Sequence, residues 1–581
     1  MSAPASAWLP SAAELRLFSP ELVLIGTIVA LLLVPLLAGR RAQVAALVAW
    51  AGCLIGLLAT NWVAPTIRAA AYGGLVPAHD PPLPPMLLAD RFTLFYKLLL
   101  FTFLLVVIGL WSVGREQEEG KHNSLRSGTA SASAGSGNRT HPLHRGGTEF
   151  LVLLLTSALG MMLMVGTLNL LVIVVAIETA SLPSYAIVAS DRRSRLGAEA
   201  ALKYVMFGAA SAAIMVYGVS LLYGRFGTLD LAAIAGHIAK APFAADAVFW
   251  LALLAVGVGI AFKIAAVPMH LWCPDVFEGA PIEVTTWLSV ASKAAGLGLL
   301  LRIVNVFSAT PALADAVAPL SWGIGVLAAI TCTVGNLAAL RQESVKRRLA
   351  YSSIAHAGYM LMAAAILVPP LRSAGHPSPA SNAGMAAIIA YLLVYMTMNA
   401  GAFGATALVA WQTGSDRLSA FTGLGRRAPW VALPMAVCLF SLVGLPPLGG
   451  FAAKWYLLIG LGRTAMQDSQ QAWLWVLVIV AVVNTAISLY YYVRIVRQMY
   501  LTDDPEQPAF AAPLGGLALV NTCAIMLLLL GTILFNPLGQ RAAWLSTGIF
   551  RPAGVFPARV FDAPPVPAQG AAGASPAVAA R

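Results

Sequence analysis

The sequence predicts an all-α polytopic membrane protein of about fourteen transmembrane helices. Two observations carry most of that prediction. Charged residues are only 10% of the chain and apolar ones 59%, whereas soluble domains carry roughly 25% charged residues. The apolar residues also fall into runs of about 20, the length that crosses a hydrocarbon core. A soluble chain of 581 residues would divide into several domains, each needing a charged surface that this composition does not supply. Mean hydropathy is +0.80. No alternating strand pattern occurs, so helices rather than a β-barrel are predicted.

The runs follow in order: 20–38, 42–62, 90–113, 148–165, 168–189, 198–224, 246–268, 281–306, 316–339, 346–367, 383–411, 428–446, 472–499 and 514–536. The first is long enough to span, and Met1–Pro20 lacks the basic start of a cleaved signal. Spans four and five are divided only near Gly166-Thr167. Three polar segments stand outside the core. The 63–88 segment holds Pro81, Pro82, Pro84 and Pro85; the 114–147 segment reads as a flexible cytoplasmic loop; the 550–581 segment reads as a disordered tail.

The net charge of +12 does not require nucleic acid, because Lys and Arg concentrate in alternate loops. Loops after odd-numbered spans carry Arg40, Arg41, Arg115, Arg192, Arg193, Arg195, Arg341, Lys346, Arg347, Arg348, Arg417 and others, about three for each basic residue in the even loops. Odd loops are therefore expected in the cytoplasm and both termini on the opposite side. The five cysteines form no C-x-x-C pair, which leaves a zinc site or iron–sulfur cluster unsupported.

The informative residues are ionisable groups inside apolar spans. A charge at mid-bilayer costs about 2.5–3.5 kcal/mol on insertion scales, and it survives by pairing, by facing the bundle interior or by touching water. Glu178 in span five, Lys203 in span six, Lys263 and His270 in span seven, Lys293 in span eight, His356 in span ten and Lys454 in span twelve fit that description. Each has a plainer alternative: a hydrogen-bonded carboxyl, a snorkelling lysine or a satisfied core histidine. Asp275, Glu278 and Glu283 are expected at the interface, and Lys97 and Glu21 near it or to one side of the row. Pro268 denies a donor to the carbonyl of Ile264, beside Lys263. Pro446 and Pro447, with Gly444, Gly449 and Gly450, interrupt span twelve. Two interrupted spans five apart would lie in opposite orientations, as in inverted-repeat transporters, although Pro and Gly are also simply common in membrane helices. One Glu, four Lys and two His along a bundle make a proton path in which a charge change at one group shifts the next.

These residues also resemble a known family. FKIAAVPMHLWCPDVFEGAPIEVTTWLSVASKAAGLGLL (262–300) is similar to the signature of the N subunit of proton-pumping NADH–quinone oxidoreductase, respiratory complex I. IETASLPSYAIVA (177–189), EAALKYVMFGAASAAIMVYG (199–218), VKRRLAYSSIAHAGYM (345–360) and VGLPPLGGFAAKWYL (443–457) fit the same family, in order, over about 20–536. The resemblance implies inverted five-helix repeats over spans four to eight (148–306) and nine to thirteen (307–500). They would lie between an N-terminal three-helix segment (1–113), the 114–147 loop and a C-terminal helix (501–549). It implies broken helices seven and twelve, an input-side pair of Glu178 with Lys203, a central Lys263, a connecting Lys293, an exit-side Lys454, and relay roles for His270 and His356.

The resemblance further implies no cofactor in this chain, with NADH, FMN, iron–sulfur clusters and quinone held by partner subunits. Partners would be the antiporter-like M-type and small K-type subunits in a bacterial inner membrane. The chain departs from the family in a longer 114–147 loop, extended 63–88 and tail segments, and Cys273 where Thr is expected. The alternative is a cation/proton antiporter subunit of the same fold. A purely structural scaffold would not need interior charges.

Overall fold

In a computed structural model, the described residues are 12–37, 42–69, 86–126, 147–191, 194–240, 246–308, 314–366, 379–502, 510–547 and 549. Among them no β-strand forms; the chain is helical, with two isolated bridges. Among the described residues the helices group into fourteen spans. Twelve are single helices: Ser19–Leu37, Ala42–Ala69, Arg91–Arg126, Thr148–Val165, Leu170–Val188, Arg195–Phe226, Ile282–Ser308, Ala314–Ala339, Val345–Ala365, Pro379–Thr413, Leu474–Leu501 and Leu514–Gly531. The other two are broken. Span seven is Ala247–Ile264 (7a) followed by Trp272–Gly279 (7b); span twelve is Pro429–Val443 (12a) followed by Gly449–Gln467 (12b).

Helix ends follow local chemistry. The side chains of Asn169, Ser194 and Ser344 accept from the first free amides of spans five, six and ten, satisfying donors a helix cannot satisfy itself. Asp246 caps 7a: the Phe249 amide and the Arg225 guanidinium hold its carboxyl below the usual carboxylate range.

Spans four to eight and nine to thirteen are inverted repeats, and matching contacts recur in both. Leu170 N–H donates to Leu229 O at 2.8 Å and Leu231 N–H to Leu168 O at 3.1 Å, bridging the start of span five to the segment after span six. Val345 N–H donates to Asp416 O at 2.9 Å and Leu418 N–H to Glu343 O at 3.0 Å, bridging the start of span ten to the segment after span eleven. Successive spans alternate direction, so the two bridges lie at opposite ends of the bundle. Gly160 and Gly335 repeat the match. A Cβ on Gly160 would meet the Ala180 amide nitrogen at 2.3 Å, and one on Gly335 would meet that of Ala355 at 2.6 Å. Spans four and five, and again nine and ten, touch backbone to backbone at these points.

Four features differ from the sequence-based expectation or add to it. Span three continues as helix through 114–126, where a loop was expected; the rest of that loop and the 550–581 tail lie outside the described residues. Lys97 and Glu21, expected near the interface or to one side of the row, form a buried ion pair at 2.8 Å between spans three and one. Glu283 is buried at the start of span eight rather than held at the interface. A further helix, Phe535–Ser546, follows span fourteen; Tyr456 of 12b donates its hydroxyl to Phe535 O at 2.7 Å. The end of span eight is latched by Arg302, whose guanidinium makes two hydrogen bonds to Asp90 at 2.8 and 2.9 Å and a third to Val165 O.

Candidate functional site

The two breaks share one local design. At 7a the helix stops at Ile264 and Ala265 turns left-handed (φ 60°); at 12a it stops at Val443 and Gly444 does the same (φ 90°). A proline follows each left-handed residue by three positions, Pro268 and Pro447. Glycine adopts that conformation freely, whereas alanine is strained in it. The stop lies before Pro268, so several carbonyls are released and not Ile264 alone. Trp272 of 7b donates its indole N–H to Phe262 O at 3.2 Å. In span twelve the corresponding task falls to a charge: Lys454 of 12b donates to Val443 O at 2.8 Å. The Val267 amide, freed in the first break, donates to Thr331 of span nine at 3.1 Å.

Lys263 is buried, and its ammonium has no hydrogen-bond partner among the described residues. Its own carbonyl accepts from Ser292 of span eight at 3.0 Å. Gly296 permits that approach, since a Cβ there would stand 2.9 Å from Ile264 and 3.1 Å from Lys263. Glu178 is half-buried and within electrostatic reach of Lys263. Span eight has a π-helical turn, Leu288–Ser292, immediately before Lys293; such turns recur at functional sites. Lys293 is wholly buried, 4.0 Å from the Cys273 sulfur and 5.4 Å from the Phe277 ring centroid, both on 7b. His270 stands half-buried within the first break.

The row then crosses into the second repeat. Ser353 lies between Cys273 and Tyr395. His356 Nδ1 is hydrogen-bonded to the Tyr391 hydroxyl at 2.7 Å, with its ring 5.2 Å from that of Tyr395 and 5.9 Å from that of Tyr359. Tyr359 shares a hydrogen bond with Thr485 at 3.1 Å, and Lys454 donates to the same Thr485 at 3.3 Å while its ammonium sits 4.5 Å from the Tyr359 ring. Lys263, Lys293, His356 and Lys454 therefore line one interior course, with both breaks beside it. The sequence reading missed Tyr359, Tyr391, Tyr395, Ser353 and Thr485. Tyrosines in apolar spans look like core or interface residues; Tyr359 is one turn from His356 on the same helix, but the approach of Tyr391, Tyr395 and Thr485 from other helices is invisible before folding.

Lys203 departs from its expected place. It does not pair with Glu178. Its ammonium donates to Asp275 of 7b at 2.8 Å and reaches Glu199, one helical turn away, at 2.7 Å. The reason is geometric. Spans five and six are antiparallel, and Tyr185 stacks edge-on against Tyr204 at 4.6 Å, so Lys203 is level with Tyr185. Glu178 lies seven residues from Tyr185, about 10 Å along the axis. Helical side chains lean toward their own N-termini, which turns these two away from each other.

Two inverted five-span repeats, each interrupted by a break with buried cations beside it, define a membrane protein of the ion-translocating class. A family model described as NADH:quinone oxidoreductase/Mrp antiporter, TM, matches residues 167–488. NADH-quinone oxidoreductase subunit N of Anaeromyxobacter sp. (strain Fw109-5) is 35% identical over 536 residues, covering 88% of this chain and 93% of the relative. NAD(P)H-quinone oxidoreductase subunit 2 of Synechococcus sp. (strain JA-3-3Ab) is 42% identical over 362 residues, 62% of this chain and 63% of the relative. A chain of respiratory complex I from Thermus thermophilus, solved with bound aureothin, superposes with TM-score 0.66 at 30% identity over 89% of this chain and 99% of its own. A chain of the Mrp complex from Dietzia sp. DQ12-45-1b gives TM-score 0.70 at 20% identity, covering 92% and 98%, a likeness of fold alone. The chain belongs to the NADH:quinone oxidoreductase/Mrp antiporter transmembrane family.

Proposed function

We propose that this chain is a proton-translocating membrane-arm subunit of NADH–quinone oxidoreductase, of the N type. The observation that carries the reading is the interior course from Lys263 through Lys293 and His356 to Lys454, which passes both helix breaks and joins the two repeats. Four buried ionisable groups in one bundle have no role in packing that apolar side chains would not fill at lower cost.

Glu178 and Lys203 act at the input side, Lys263 is the central proton carrier, Lys293 connects the repeats and Lys454 serves the exit side; His270 and His356 relay between them. Protonation of one lysine repels the next, so charge introduced at one end moves protons along without redox chemistry here. NADH, FMN, iron–sulfur clusters and quinone would reside in partner subunits, and the redox energy would arrive as a conformational or electrostatic change. M-type and K-type membrane subunits are the expected neighbours. The loop charges favour an inner-membrane orientation with odd loops cytoplasmic and both termini periplasmic. The 30% identity to a complex I chain favours this reading over a cation/proton antiporter, since the family description covers both and the Mrp chain is only 20% identical.

The test is NADH-driven proton uptake by membrane vesicles carrying the assembled complex. Lys263→Ala and Glu178→Ala are each expected to lower uptake several-fold with the complex intact. Full uptake by both variants would overturn the assigned roles.

A further inference from the structure

Half-helix 7b, Trp272–Gly279, is only eight residues long, yet it touches both halves of the molecule. Its inner side meets the charged row: Trp272 holds the Phe262 carbonyl next to Lys263 at 3.2 Å, Cys273 lies 4.0 Å from Lys293, and Phe277 carries the same ammonium over its ring. Its outer side carries acids. Asp275 accepts from Lys203 of span six at 2.8 Å with one oxygen and from Arg347 of span ten at 2.8 Å with the other. Glu278, one turn on, accepts from the same Arg347 at 2.6 Å, and Lys346 donates to the carbonyls of Glu278 and Ala280 at 2.8 and 3.1 Å. Lys203 is thereby held by 7b instead of by Glu178.

We propose that Asp275 is a positioning residue for the buried row. Its carboxylate clamps 7b between span six of the first repeat and span ten of the second, and so sets where Cys273, Phe277 and Trp272 hold Lys293 and the Lys263 turn. A segment eight residues long with a break at one end moves as one piece, so a change in the charge or partner of Lys203 at the outer end displaces the groups around Lys293 at the inner end. Asp275 bridges two cations at once: its loss frees 7b from Lys203 of span six and leaves span ten holding it only through Glu278 and the Lys346 hydrogen bonds. Its geometry is that of a carboxylate: one oxygen per cation, which the amide of asparagine cannot reproduce because it offers one acceptor and one donor. The clamp links a surface-accessible ion cluster to a wholly buried lysine through one short helix, the arrangement from which small charge changes are amplified in packed proteins. This inference rests on the function proposed above.

The experiment compares Asp275→Asn, Asp275→Glu and Lys263→Ala in the whole complex, with complex content measured in each membrane preparation. Asp275→Asn is expected to lower NADH-driven proton uptake per complex at least threefold, and Asp275→Glu to recover most of it. Lys203→Gln combined with Asp275→Asn is expected to lose little more than Asp275→Asn alone, since the asparagine already breaks the Lys203 contact. Uptake by Asp275→Asn equal to the parent overturns the proposal, as does failure of Asp275→Glu to rescue. If Lys263→Ala also pumps normally, the reading of the row itself fails; if Lys263→Ala is inactive while Asp275→Asn is unimpaired, only the clamp fails. Should Asp275→Asn reduce complex content, Arg347→Gln, which loosens the same carboxylate from the other side, supplies the readout and must show the same direction of loss.

Discussion

Lys293→Met separates what the buried row does for function from what it does for stability. Lys293 is wholly enclosed, and its ammonium has a thiol at 4.0 Å and an aromatic ring at 5.4 Å as its polar surroundings. A lysine charge at this depth costs about 2.5–3.5 kcal/mol on insertion scales. The ring returns about 0.5–1 kcal/mol, and up to about 2 when desolvated. Methionine is similarly long, unbranched and apolar, and adapts to irregular space. The substitution is therefore expected to stabilise the chain by about 1–3 kcal/mol while proton uptake falls at least tenfold. Unfolding by SDS titration of the detergent-solubilised chain measures the first effect, and vesicle uptake by the complex measures the second. A destabilised Lys293→Met chain would refute the claim that this charge is held against the preference of its surroundings. A Lys293→Met complex that pumps normally would refute its place in the row.

Two further outcomes follow from single contacts. Gly160→Ala and Gly335→Ala each push a methyl into the backbone of the neighbouring span, at 2.3 and 2.6 Å, and should each destabilise by about 1–3 kcal/mol; unequal effects in thermal unfolding would count against the equivalence of the repeats. Thr485→Val removes the hydroxyl shared by Lys454 and Tyr359, a loss of about 1 kcal/mol, so uptake should slow about fivefold and Thr485→Ser should restore it; a normal rate for Thr485→Val would remove Thr485 from the path.

Much of the fold follows from the sequence because a bilayer imposes length and hydropathy on every span. The starts of spans four, five and nine fall within two residues of their sequence-based positions. The breaks at Pro268 and Pro446-Pro447 were also readable from proline beside buried lysines, with glycines added in span twelve, although Pro35, Pro65, Pro183, Pro319 and Pro434 all stay within helices. Depth was readable too: Lys263, Lys293, His356 and Lys454 are all buried where apolar flanks placed them. What a linear string does not carry is which way a side chain turns around its helix and which neighbour it meets. Lys203 illustrates this, since it stands about 10 Å along the axis from Glu178 and its lean delivers it to Asp275. Glu21 and Lys97 illustrate it again: two charges 76 residues apart in sequence give no sign of forming one buried pair. Tyr391 and Tyr395 beside His356 come from span eleven, and only packing brings them to the imidazole.

The amide of Val267, left over in the first break, is taken up by Thr331 across the seam between the repeats. A five-helix unit inserted by itself would leave that donor without Thr331, and would leave Asp275 on 7b with Lys203 but without Arg347 of the other half. Neither unit is thus a finished module. If the gene were severed between spans eight and nine, both pieces would have to enter the same patch of bilayer and dock before either could reach its native form.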